Sequence, residues 1–130
     1  MILVAINIFA AAMIGAAWHH GFLGPIYDSD QTYLTWVISA GLVLGLMMVA
    51  LGRDRDAKFI SWSLVTLGLI GTVVGFVIAL RGVSPDAAGT VEASGPMVGG
   101  LVSGMGVALH TTLLGAVCSL WVEANRHVGY

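Results

Sequence analysis

Apolar side chains fill four long runs of this 130-residue chain, and short polar turns separate them. The runs cover residues 2–20, 33–51, 59–80 and 97–122. A helix needs about 20 residues to cross the hydrocarbon of a bilayer. Backbone groups in lipid must be paired within the segment, and no run shows the period-two alternation of a barrel strand. The pattern predicts an all-α integral membrane protein with four transmembrane helices at about those limits, in one membrane domain over residues 1–130. The turn at 52–58 and the stretches at 21–32 and 81–96 are the expected loops. Pro96, directly after Ser94 and Gly95, reads as a helix start.

Composition moves the same way. The chain is 58% hydrophobic and 9% charged, against about 25% charged in a soluble domain, and its mean hydropathy is +0.94. A net charge of −2 without a basic run speaks against nucleic acid as a partner. Arg53, Arg55, Lys58 and Arg126 fall on one side of the four spans. Arg81 falls on the other, among Asp28, Asp30, Asp86 and Glu92. Basic residues stay cytoplasmic, so the 52–58 loop and both termini are expected in the cytoplasm. The first run resembles a signal peptide in its apolar core but lacks a basic start. It reads as a retained helix, with cleavage near Ala16–Ala17 as the alternative. Cys118 reads as a small packing residue. His19 and His20 read as interfacial anchors, and Asn7 as a hydrogen bond between helices.

The last two runs concentrate Gly, Ser and Thr. Gly68, Gly71 and Gly75 recur at spacings of three and four, with Thr72 beside them. In the final run Gly104, Ala108, Thr111, Thr112, Gly115 and Ser119 make one small-residue stripe. Gly99, Ser103 and Gly106 make another, with His110 a turn further on. Small stripes let helix backbones approach closely, so Gly68, Gly71, Gly75, Gly104 and Gly115 are expected at helix contacts. Two small faces on one helix suggest two neighbours and hence an oligomer. Thr72, Thr111 and Thr112 fit either bonding back to their own helix or lining a polar path. His110 sits near mid-span, where an ionisable group is a functional candidate; a neutral imidazole bonded across a helix contact is the other role that fits.

The absences narrow the chemistry. No span holds Asp or Glu, so a complete proton relay cannot come from this chain alone. No zinc-binding histidine motif, Ser-His-Asp set, cysteine cluster or phosphate-binding loop occurs. An enzyme, a bound metal and a resident cofactor are therefore not expected.

The string GLIGTVVG over 68–75, followed by the final run with GVALHTTLLGAV, resembles the MotA/TolQ/ExbB proton-channel family. The likeness covers roughly residues 61–124, and two preceding helices favour the four-span MotA-like branch. It implies a stator-type channel subunit of a motor driven by proton or sodium flow. It implies a homo-pentameric ring in the bacterial inner membrane, closed around two single-span helices of a MotB/ExbD/TolR-like partner. The partner's membrane Asp would bind the transported H⁺ or Na⁺. Thr72 and Thr112 match the family's pore threonines, with Thr111 and His110 as further pore-lining candidates. Gly71, Gly75 and Gly115 match as packing glycines. Val107 stands where two branches carry a Glu, and the inner loop is minimal. A non-conducting membrane scaffold subunit is the alternative, and a small four-helix transporter a more distant one, since Asn7 cannot titrate.

Overall fold

A computed structural model describes residues 2–20, 33–81, 83 and 91–129. Among them the chain is all-helical, without strands. The helices are α1 (Ile2–His19), α2 (Leu34–Ala50), α3 (Asp54–Arg81) and α4 (Val91–Gly129). The loop expected at 21–32, and the 84–90 part of the one expected at 81–96, lie outside the described residues.

Three boundaries differ from the sequence expectation, one of them the end of α4, which runs past Val122 to Gly129. The expected turn at 52–58 is much shorter, because α3 already begins at Asp54. At the end of α2, Gly52 adopts φ 69. Its N–H bonds Val49 O at 3.0 Å, and the Arg53 N–H bonds Met48 O at 3.0 Å. This paired closure needs a left-handed residue, which glycine supplies. Asp54 and Asp56 then occupy the first turn of α3, where carboxylates favour the positive end of the helix dipole. The charged residues therefore start a helix instead of forming a loop.

Pro96 is the second difference. It stands inside α4, which begins at Val91. Proline removes one amide donor and its ring crowds the residue before it. That residue is Gly95, which has no Cβ to meet the ring, and the helix continues past Pro96.

Helices α3 and α4 are antiparallel and share the most extensive contact, and α2 packs against both. The core lies where the three meet, at Ile38, Leu64, Cys118 and Val122. Gly45 of α2 lets this happen, since a Cβ there would lie 2.8 Å from Val122 and 3.2 Å from Ile60. Helix α1 docks on α4. At the end where α3 starts and α4 finishes, Arg126 bonds Asp54 at 2.7 Å and also pairs with Glu123. That hydrogen bond from Arg126 holds the Glu123 carboxyl below its ordinary pKa.

Asp54–Arg81 and Gly95–Gly129 are long and apolar enough to cross a membrane, and only 28% and 33% of their most apolar windows are buried. The core helix of a soluble domain would be mostly covered. Here Trp62, Val73, Leu109 and Leu120 are each more than three-fifths exposed.

Candidate functional site

The α3–α4 seam is built from the backbone outward. Along α3 the buried positions are Ala57, Ser61, Leu64, Gly68, Gly71, Gly75 and Ala79. Their steps of three and four put them on one face. Opposite stand Gly104, Ala108, Thr111, Gly115 and Ser119 of α4, all buried. The approach is close enough to exclude side chains. A Cβ on Gly75 would meet Ala108 N at 2.6 Å and Gly104 O at 2.7 Å. One on Gly104 would meet Ala79 Cβ at 2.5 Å, and one on Gly115 would meet Leu64 O at 2.6 Å. Gly68 lies over the backbone of Thr111 and Thr112, and Gly71 lies against the Thr111 side chain.

Where the backbones are this close, hydroxyls from the two helices meet. Thr72 Oγ1 and Thr112 Oγ1 are hydrogen-bonded to each other. Each also reaches its own helix's carbonyl four residues back: Thr72 to Gly68 O at 3.2 Å and Thr112 to Ala108 O at 3.1 Å. Each reaches across as well, Thr112 to Gly68 O at 3.1 Å and Thr72 to Ala108 O at 3.5 Å. The pair thus has near-two-fold symmetry, with two hydroxyls facing two carbonyls. A hydroxyl carries one proton and two lone pairs. Two protons shared among these contacts leave acceptor lone pairs free.

The pair is half-buried and borders an open flank. Leu69 and Phe76 lie three residues before and four after Thr72, and Leu109 lies three before Thr112, so they share that flank. They are 56%, 48% and 68% exposed. At 100° per residue, Thr72 lies about 120° round α3 from Ile60, the contact of Gly45 in α2.

The other two pore candidates lie elsewhere. Thr111 is fully buried in the seam against Gly71, and its hydroxyl donates back to Val107 O or Ala108 O, at 3.0 and 3.1 Å. It does not reach the open flank. His110 is two residues from Thr112, and such positions do not face each other on a helix. The structure therefore separates His110 from the hydroxyl pair. Its Nδ1 is buried and has no hydrogen-bond partner among the described residues.

A second hydroxyl contact escaped the sequence reading. Ser61 Oγ and Ser119 Oγ are 2.9 Å apart and buried, with Ser119 O 3.3 Å from Ser61 Oγ. Ser61 sits one heptad before Gly68, so it continues the same stripe. That register was the available clue. The second small stripe of α4 is different: a Cβ on Gly99 or Gly106 would meet nothing within 4 Å among the described residues. Among the described residues no group of three His, Cys, Asp or Glu could hold a metal ion. No family model matches this chain, and no curated protein and no solved structure matches it.

Proposed function

We propose that this chain is the channel subunit of an ion-driven motor in the bacterial inner membrane. All four helices span the bilayer, with both termini in the cytoplasm. Five copies form a ring around two single-span partner helices, and the partner supplies the Asp that binds H⁺ or Na⁺. The chain itself performs no covalent chemistry.

One observation carries this reading. Thr72 and Thr112, the two positions that resemble the family's pore threonines, bond to each other on a flank of the α3–α4 pair that borders open apolar surface. Oxygen atoms with spare lone pairs at such a place offer a passing ion or its water brief polar partners. The low coverage of α3 and α4 supports the membrane setting, because so much exposed apolar surface needs lipid or other helices against it.

The test is Thr72→Val with Thr112→Val, measured as ion flux in vesicles from cells that co-express a single-span, Asp-bearing partner. Loss of flux with an intact complex is the expected result; unchanged flux removes the pore assignment. A second reading has its own support. Both hydroxyls find partners inside the chain, one donating to the other and the second to Gly68 O or Ala108 O, which is all that a non-conducting scaffold subunit requires. That reading predicts unchanged flux in the double variant and altered packing alone.

A further inference from the structure

Helix α1 is apolar on every side. Between Ile2 and Trp18, Asn7 is its one side chain with an amide, hydroxyl or charge. Val4, Ile8 and Phe9 are about two-thirds exposed. In lipid such a helix has no hydrophobic preference for one face over another, because lipid tails are as apolar as leucine. Polar contacts and close packing must then decide how it docks.

Asn7 makes such a contact. The Trp121 Nε1–H donates to Asn7 Oδ1 at 3.2 Å. Asn7 Nδ2 donates to Asn125 Oδ1 at 2.5 Å. Asn125 Nδ2 donates to Trp121 O at 2.9 Å, closing the circuit. Every member donates once and accepts once around the ring, and Asn125 is 1% exposed. A buried amide without a partner is costly, so only the face of α1 that bears Asn7 suits this position on α4.

We infer that the Asn7–Asn125–Trp121 circuit is a register lock that fixes which face of α1, and at what depth, meets α4. This inference rests on the membrane setting proposed above. A single buried Asn fixing register is the best-attested structural use of an isolated polar group between helices.

The test is disulfide cross-linking in membranes, in a Cys118→Ala background. Val117→Cys provides the fixed position on α4, half-exposed and one turn from Trp121. Single cysteines are placed in turn at residues 8–14 of α1. The locked helix gives a periodic pattern peaking on one face, with a contrast of about three- to twentyfold, the population ratio expected for such a polar contact in lipid. Asn7→Leu combined with Asn125→Leu removes both amides and leaves only the Trp121 indole N–H without its acceptor, so the protein accumulates, yet the pattern flattens. Asn7→Leu combined with Ile8→Asn moves the peak by one residue. A peak that stays on its original face in both variants, or a flat pattern in the unaltered chain, overturns the lock. Alkaline carbonate washing of the unaltered chain tests the membrane setting separately; release from the pellet overturns that setting and with it the lock.

Discussion

Helix α4 carries two stripes of small residues that look alike in sequence and differ completely in use. Gly104 and Gly115 face α3, and any added carbon would lie within 2.6 Å of Ala79 Cβ or Leu64 O. Among the described residues, a Cβ on Gly99 or Gly106 would meet nothing within 4 Å. Spacing announces that a helix can be approached closely; it does not say from which side. What marks the filled stripe is its counterpart, since Gly68, Gly71 and Gly75 of α3 present a matching bare face.

The sharpest way to break this contrast is to fill both stripes. Gly104→Leu or Gly75→Leu forces the backbones of α3 and α4 apart, at a cost of about 3 kcal/mol or more, the upper end for overpacked cores. Gly99→Leu or Gly106→Leu is expected to leave the fold of the single chain unchanged. Thermal aggregation midpoints of the four purified variants in one detergent check this; equal losses would erase the distinction between the stripes. Polar contacts along the filled stripe come next. Ser61→Ala with Ser119→Ala should cost about 1 kcal/mol, since hydroxyl contacts between membrane helices average near 0.6 and reach about 1.7. Thr72→Val with Thr112→Val should cost the same order in stability while abolishing ion flux. That split between a small stability loss and a large functional one separates a pore role from packing alone.

The smallest effect lies at the end where Arg126 joins Asp54 and Glu123. The Glu123 carboxyl is held below its ordinary value, chiefly by the hydrogen bond from Arg126. A depressed folded-state pKa adds stability above the unfolded value, and that stability is lost as pH falls through the folded one. The tie between the ends of α3 and α4 should therefore weaken under acid conditions, below about pH 4.3, the unperturbed glutamate value. Glu123→Gln should show a flatter thermal midpoint between pH 6 and pH 3 than the unaltered chain, by a small margin, because Glu123 is partly exposed and water screens the pair.

The sequence made some of this legible. Long apolar runs predicted an all-helical chain, and the described residues are helical in all four. Helix ends were harder, because charge and proline each have two meanings. Asp54 and Asp56 read as loop residues by polarity but serve as a favourable first turn. Pro96 reads as a start but stands inside α4. At the candidate site, spacing grouped Gly68, Gly71 and Gly75 on one face of α3. It could not say that Thr111 would face Gly71 while Thr112 met Thr72, since adjacent positions differ by 100° and the crossing point chooses between them. Ser61 was passed over because one serine near the charged end of α3 carries no pattern by itself. Its meaning comes from Ser119 across the seam.

A ring of these chains around an ion-binding partner would be seen by native mass spectrometry of the detergent-solubilised complex. The chain would be co-expressed with a neighbouring single-span, Asp-bearing protein. Five copies of this chain with two of the partner is the predicted result. A dimer, or a ring that never retains such a partner, would contradict the account, because no carboxylate would then stand within the membrane to bind the ion.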